Sequence, residues 1–281
     1  MRRHLPLCLR TDLRHSAVFA VTLLFLLPLP ATAVTPDESD PNAIMRAVEN
    51  RSSGNQMTSR SHLVVRDSVG RQRERVISTR SLEIEADDVS MQLMVFEEPA
   101  DVAGTRFLSH DYGQRADDQW LFLPSLRRKT RIASSDKSGS FMGTDLTYAD
   151  MTSQNPSDYD YRMVQQNVEV GGEACWLIEA RPNNDRTRSE TGYVKTNIWV
   201  SKSKLMPIQI KAWIAAGQRL KYIRFSDITQ IDGVWIVQKI LAQTKRGSTV
   251  ESRTVIRIRD VRLNQSSVRP EDFRPERLEV Q

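Results

Sequence analysis

The sequence is poor in the residues that build metal centres and disulfide frameworks. Its 281 residues include 2 cysteines and 4 histidines. Cys8 and Cys175 are too few for a disulfide framework. His62 and His110, the two histidines beyond the N-terminal segment, lie far apart and belong to no HExxH motif or Cys/His cluster. We therefore expect no metal site and no cofactor.

The patterns of the common catalytic sites are missing as well. The sequence has no GxSxG, Walker A or GxGxxG motif. Cys175 lies in an apolar stretch, where a structural cysteine is expected rather than a nucleophile. The pairs Asp87-Asp88 and Asp117-Asp118 are expected in solvated turns. We predict no catalytic residue and no enzyme; a hydrolase or isomerase would need a polar triad that only folding could assemble.

No apolar run is long enough for a membrane-spanning helix. The longest, Ala17–Leu29, is shorter than the roughly 20 residues that a span requires. Arg2 and Arg3 open a basic segment before it, and Ala31-Thr32-Ala33 after it fits a small-x-small cleavage site. This pattern predicts a signal peptide over residues 1–33, cleaved after Ala33, and a linker over residues 34–39. An uncleaved membrane anchor is the alternative.

Removal of the signal peptide changes the charge of the chain. The full sequence has a net charge of +5, and residues 34–281 retain 36 basic and 34 acidic residues, a net charge of +2. A nucleic-acid partner, which needs a strongly basic face, is therefore not expected. No cysteine stands at the cleavage point to carry a lipid. We expect a soluble, monomeric, exported protein, located in the periplasm if the source is a Gram-negative bacterium.

The remaining chain has the pattern of a mainly β protein. Asp40-Pro41 is a typical helix start, and Gly54 can end this one short amphipathic helix. About ten or eleven strands follow, with hairpin turns predicted at Gly171-Gly172 and Asp232-Gly233. The pattern shows no alternation of helix and strand, which argues against a parallel α/β sheet. No linker divides residues 40–281, so a single domain is expected.

Several strands are apolar at successive positions. Met91–Phe96, Trp120–Leu123 and Val234–Ile240 lack the clean alternation of a sheet with one face in water. The pattern indicates a second layer of structure, an internal cavity, or a well-packed sandwich core. Ile208, Ile210, Ala212 and Ile214 would share one face of another strand, as either core or cavity wall.

Two stretches have the most distinctive chemistry. In Asp118–Ile132 an aromatic strand is followed by a basic cluster, which is interpreted either as a pocket wall with a cationic rim or as a core strand followed by a solvated strand. In Ser138–Asp150 two glycines flank Phe141-Met142, which would form either a mobile apolar loop for lipid contact or a core plug.

These segments together resemble a known family. VFEEPADVAGTRFL (Val95–Leu108), DDQWLFLPSLRRKTRI (Asp117–Ile132) and SFMGTDLTYAD (Ser140–Asp150), with the export signal and N-terminal helix, are similar to the LolA-like outer membrane lipoprotein-sorting proteins. The resemblance covers roughly residues 42–280. It implies an unclosed antiparallel β-barrel with a short helical lid, whose apolar concave face shields acyl chains. Proteins of this branch often accompany RND/MMPL-type membrane transporters.

The resemblance and the residues lead to one functional prediction and one alternative. The protein is expected to be a periplasmic carrier that shields the acyl chains of a lipoprotein or lipid during transfer toward the outer membrane. The alternative is a ligand-free accessory subunit of an RND/MMPL-type transporter. The predicted lipid-binding residues are Leu93, Val95, Phe107, Trp120, Phe122, Phe141 and Met142. The predicted rim or docking residues are Arg127, Arg128 and Arg131.

Overall fold

Strands dominate the computed structural model, which describes residues 34–84, 87–113 and 115–279. The predicted signal peptide over residues 1–33 lies outside the described residues. The two α-helices of the described part are α1 (Pro41–Glu49) and α2 (Asp185–Thr191). None of the helices in these ranges has the length and hydrophobicity needed to cross a membrane.

Thirteen strands form one antiparallel sheet. They are β1 (Met57–Asp67), β2 (Gln72–Ile84), β3 (Val89–Glu98), β4 (Arg106–Tyr112), β5 (Asp118–Leu123), β6 (Arg128–Arg131), β7 (Tyr159–Val170), β8 (Glu173–Pro182), β9 (Tyr193–Ser201), β10 (Met206–Ile214), β11 (Arg219–Ile231), β12 (Val234–Arg246) and β13 (Thr249–Arg262). The number exceeds the expected ten or eleven. β6 has four residues, too few for a clear alternation, and β4 (RFLSHDY) groups its apolar residues instead of alternating them.

The sheet consists of two meanders that are joined through the first and the last strand of the chain, β1 and β13. β1 to β6 pair in sequence, β7 to β13 pair in sequence, and β1 pairs with β13. β6 and β7 are the two edges of the sheet, so the sheet is not closed. This arrangement confirms the predicted mainly β, unclosed antiparallel fold.

Both predicted hairpins are present. Asp232 and Gly233 have φ angles of 49° and 81°, and they join β11 to β12. Gly171 and Gly172, at 62° and 83°, join β7 to β8. Left-handed angles at both central residues match the twist of the flanking strands, and Asp-Gly and Gly-Gly adopt them readily.

One long connection crosses between the two edges of the sheet. Residues 132–158, here called the plug, lead from β6 to β7 through four short 3-10 helices. We call the sheet face that contacts the plug the inner face and the opposite face the outer face. Phe141 of the plug is 2% exposed and packs on Phe107 of β4, with ring centroids 5.0 Å apart. Phe141 is therefore part of the core, as one of the two interpretations predicted.

The sheet is covered on both faces at β3, β4 and β5. Phe107 points to the plug, and its neighbour Leu108 points the other way, toward 3-10 helices Pro270–Phe273 and Pro275–Glu279. Both side chains are fully buried. These strands are apolar at successive positions because a second layer of structure covers each face of the sheet.

Helix α1 begins as the sequence predicts. The Asp40 side chain accepts a hydrogen bond of 2.9 Å from the Asn42 backbone N–H, and Pro41 occupies the first turn. Ile44 and Met45 are buried against the inner face of β7, β8 and β9. The helix ends at Glu49, five residues before Gly54, the end that the sequence predicts.

Candidate functional site

An apolar cavity of about 250 Å³ lies between α1, the plug and the inner face of strands β9 to β12. Met45 and Val48 of α1 form one wall, and Leu146 of the plug forms another. The sheet contributes the third wall through mainly aliphatic and aromatic side chains, namely Ile198, Ile210, Ala212, Ile223, Phe225 and Ile240. The aliphatic and aromatic part of this lining can contact an apolar guest.

A polar cleft of about 460 Å³ adjoins the apolar cavity at the C-terminal end of α1. Glu49, Thr152 and Gln154 line both spaces. An amphiphilic molecule could therefore place its apolar part in the cavity and its polar part in the cleft.

Carboxyl groups give the cleft an unusual titration. Burial raises the pKa of Asp111 to about 7, and the negative charge of Asp117 adds to this rise. Burial also raises the pKa of Asp117, although a 2.6 Å hydrogen bond from the Thr152 hydroxyl opposes the effect. Asp111 accepts the Ser153 backbone N–H at 2.6 Å, so these groups fix the end of the plug.

The expectation of solvated turns at Asp117-Asp118 is wrong. Asp118 is 8% exposed at the start of β5 and forms ion pairs with Arg115 and Arg131. Asp117 faces the cleft. The plug and the two arginines cover a position that the local sequence alone suggests is open to water.

A buried ionic network separates the apolar cavity from a second, larger space of about 640 Å³ on the other side of the plug. Lys221 is 2% exposed, and its ammonium lies 2.8 Å from a carboxylate oxygen of Asp150 and 2.6 Å from the Tyr193 hydroxyl. The Tyr193 hydroxyl also lies 2.7 Å from Asp150. Asp150 and Tyr193 line the apolar cavity, and Tyr193 and Lys221 line the larger space.

The network holds fixed charges. Burial acts to raise the pKa of Asp150, but the Lys221 ammonium outweighs it and keeps the pKa below its usual value. Burial and the Asp150 charge raise the pKa of Tyr193 well above the ordinary range. Neither group is poised to exchange protons near neutral pH. The network therefore anchors the plug to β9 and β11.

A second carboxylate fixes the plug to the last two strands. Asp145 is 4% exposed and accepts hydrogen bonds from the hydroxyls of Thr244, Ser252 and Thr254. Its backbone N–H donates to the Thr254 hydroxyl at 2.9 Å. Asp145 and Asp150 give the distinctive Ser140–Asp150 segment a structural role: both hold the plug against the inner face.

The predicted lipid-binding residues do not share one cavity. Phe107, Phe141 and Met142 pack together on the inner face of β1 to β5. Leu93, Trp120 and Phe122 lie on the outer face, beneath the C-terminal 3-10 helices. Val95 has the same strand parity as the buried outer-face positions and is half-buried. The alternation of strands separates the two groups. None of the seven lines the apolar cavity, and their role in lipid binding stays a prediction.

The predicted docking arginines lie at the exposed edge of the sheet. Arg127 and Arg128 are exposed, and Arg131 pairs with Asp118. The aromatic strand β5 is thus followed by the short solvated strand β6, the second of the two interpretations. Docking at Arg127 and Arg128 stays a prediction.

Sequence reasoning missed most of the cavity wall and the entire Asp150–Lys221–Tyr193 network. Only Ile210 and Ala212 were singled out, because their strand alternates clearly. A lysine among apolar residues in β11 was the available signal for the network. Within the described ranges, no group of three or more His, Cys, Asp or Glu residues could hold a metal ion.

Comparisons with solved structures agree with this architecture. A domain described as an outer membrane lipoprotein-sorting protein domain from Vibrio parahaemolyticus is 28% identical, with a TM-score of 0.76 over 85% of this chain and 97% of that one. A DUF1329 family protein from Desulfovibrio piger is 26% identical, with a TM-score of 0.75 over 85% of this chain and 100% of that one. A LolA superfamily protein from Nitrosomonas europaea shares the fold at 19% identity, with a TM-score of 0.60 over 85% of this chain and 97% of that one.

No curated protein matches the chain. A family model described only as uncharacterized protein matches residues 88–280, which is more than half of the chain. The matched region includes the plug and strands β3 to β13, so it contains most of the apolar cavity. By this match the chain belongs to the family that the model describes, and it shares its fold with the lipoprotein-sorting, DUF1329 and LolA superfamily structures.

Proposed function

We propose that the protein is a periplasmic carrier that holds an acyl chain of a lipid or lipoprotein in the apolar cavity beneath α1. The observation that carries this proposal is the cavity itself, lined by Ile198, Ile210, Ile223, Phe225 and Ile240 next to a polar cleft. Each methylene that moves from water into such a space contributes about 0.8 kcal/mol. One structural relative is described as a lipoprotein-sorting protein domain, which supports the same class of cargo.

The size of the cavity limits the cargo. A space of about 250 Å³ exceeds the roughly 150 Å³ that is known to hold a benzene molecule, but it is far from a compartment for several chains. One acyl segment fits while α1 is closed. A longer or second chain requires α1, which contributes Met45 and Val48 to the wall, to move outward. The helix would then act as the lid, and the carrier would deliver cargo toward the outer membrane.

A cavity-filling variant tests the proposal. Ile210→Trp projects a large side chain into the cavity, and Gln209→Trp places the same group on the opposite face of β10 as a matched control. We expect Ile210→Trp to weaken binding of a fluorescent fatty acid at least about tenfold, since a filled cavity loses most of its apolar contact. Gln209→Trp should bind as the unmodified protein does. Equal binding by both variants would remove the cavity from the proposal.

Two further measurements separate the remaining interpretations. Trp120→Ala should leave probe affinity unchanged, whereas a site built from the seven predicted residues requires a loss. Lipid mass spectrometry of protein purified gently from its own envelope should find a stoichiometric lipid or acylated protein. Protein that is free of lipid and takes up no probe would favour the ligand-free subunit of an RND/MMPL-type transporter.

A further inference from the structure

The outer face of β1, β12 and β13 carries like charges in direct opposition. Arg257 of β13 lies opposite Lys239 of β12. On β1 and β13, Arg60 lies opposite Arg259, and Arg66 lies opposite Arg253. Like charges at directly opposite positions of a sheet destabilise it. The isolated protein therefore gives up stability at this face.

Acidic residues border this face on the neighbouring strands: Glu74 of β2 lies 3.0 Å from His62, which is opposite Arg257. Arg60, at its border, pairs with Glu97 at 2.9 Å. Within the part of the chain that the structure describes, Lys239, Arg257 and Arg259 form no ion pair, and both arginines are exposed. A partner that supplies negative charge would remove the repulsion.

Aromatic rings extend the basic face across the neighbouring strands. The Lys211 ammonium lies 4.5 Å from the Trp213 ring centroid and 5.6 Å from that of Tyr222. Lys245 lies 5.2 Å from the same tyrosine ring, and Lys195 lies 4.5 Å from the tryptophan ring. Both rings are half-buried, so each keeps part of its surface accessible. The result is a row of lysines and aromatic rings that crosses β9 to β12.

We propose that this outer face, defined by Lys239, Arg257, Arg259, Trp213 and Tyr222, binds the surface of an anionic phospholipid membrane. The charges extend over a sheet face rather than lining a groove, and half-buried apolar side chains lie between them. Tryptophan and tyrosine beside lysine are the side chains typical of a membrane–water interface. The proposal goes beyond the cavity, because vesicle binding needs no acyl ligand.

Vesicle co-sedimentation of the full protein tests the assignment. We expect binding to phosphatidylcholine vesicles that contain about 30% phosphatidylglycerol, and at least about tenfold weaker binding to pure phosphatidylcholine. The triple variant Lys239→Gln, Arg257→Gln, Arg259→Gln should lose at least about tenfold in partitioning to the anionic vesicles. Raising the salt to about 0.5 M should abolish binding of the unmodified protein, because the charges are exposed.

A matched triple variant removes the same charge elsewhere. Arg73→Gln, Arg186→Gln, Arg274→Gln, at three exposed arginines on β2, α2 and the C-terminal segment, should bind anionic vesicles within about twofold of the unmodified protein. The single variant Arg257→Gln gives a smaller loss of the same sign and serves if the triple variant does not fold. Equal losses in the two triple variants, salt-independent binding, or binding to an acidic polypeptide without binding to anionic vesicles would overturn the membrane assignment.

Discussion

The two halves of the inner face are built from similar apolar strands, but one half is packed and the other keeps a cavity. Over β1 to β5 the plug fills the space with Phe141, which packs on Phe96 and Phe107. Over β9 to β12 the plug contributes Leu146, and α1 covers a space that remains unfilled. We call these the filled half and the open half. The difference shows that the placement of one connecting segment, rather than the sheet, decides which half of the inner face keeps a cavity.

The largest expected effect concerns the network at the border of the open half. Lys221→Met leaves the buried Asp150 carboxylate without its counter-charge, which should cost about 3–5 kcal/mol in the free energy of unfolding. The double variant Lys221→Met, Asp150→Asn should recover part of this loss, as measured by urea denaturation. A single variant that loses less than about 1 kcal/mol would show that the network does not anchor the plug.

A matched pair of isoleucines compares the packing of the two halves directly. Ile77 in the filled half is 4% exposed, and Ile223 in the open half is 5% exposed. Ile77→Ala should cost about 3 kcal/mol, and Ile223→Ala about 1–2 kcal/mol, because one side of Ile223 already faces empty space. Equal losses in urea denaturation would mean that the two halves are packed equally well.

The cleft beside the open half should make stability depend on pH. The raised pKa of Asp111, about 7, means that the folded state binds more protons than the unfolded state between about pH 4 and 7. The free energy of unfolding should therefore fall as the pH rises through this window. Asp111→Asn should reduce this dependence without abolishing it, because burial also raises the pKa of Glu49 in the same cleft to about 7. It should gain about 1 kcal/mol at pH 8, less than full burial would give, since the cleft is open to solvent.

An exposed carboxylate provides the control for this effect. Asp136→Asn removes a charge of the same sign from the exposed start of the plug. It should leave the slope of stability against pH unchanged between pH 5 and pH 8, as followed by thermal denaturation across that range. A parallel change in both variants would assign the slope to net charge rather than to the cleft.

The smallest effect is expected at the lid. Asp40→Ala removes the hydrogen bond that caps α1 and should destabilise the helix by about 1 kcal/mol. Opening of α1 would become more frequent, so stopped-flow uptake of a fatty acid probe should speed up about threefold or more. Unchanged uptake would indicate that cargo enters without movement of α1.

The fold was predictable where local chemistry determines it. Asp40-Pro41, Gly171-Gly172 and Asp232-Gly233 have backbone preferences that depend on few neighbours, and each turn or helix start was confirmed. The fate of an apolar strand depends on what covers it. Trp120 and Phe107 are equally apolar, yet one lies beneath the C-terminal 3-10 helices and the other beneath the plug.

The site was less predictable for the same reason. Ile223 and Ile240 border a cavity only because α1 and the plug leave a gap between them. That gap is a property of three segments remote in sequence. Similarly, Asp150 and Lys221 are 71 positions apart, and no spacing rule connects them.

The pairing of β1 with β13 has a consequence for the order in which the chain folds. Every other strand pairing in the described sheet joins sequence neighbours, and most of these strands are joined by short turns that let hairpins form early. Thr58 pairs with Arg262, which requires nearly the whole chain. Until that pairing forms, each meander presents an additional unprotected edge to other molecules. Misassembly is therefore expected to begin at the edges of β1 and β13, because their pairing forms last. A chaperone that covered the edge of β1 would protect the nascent chain for longest.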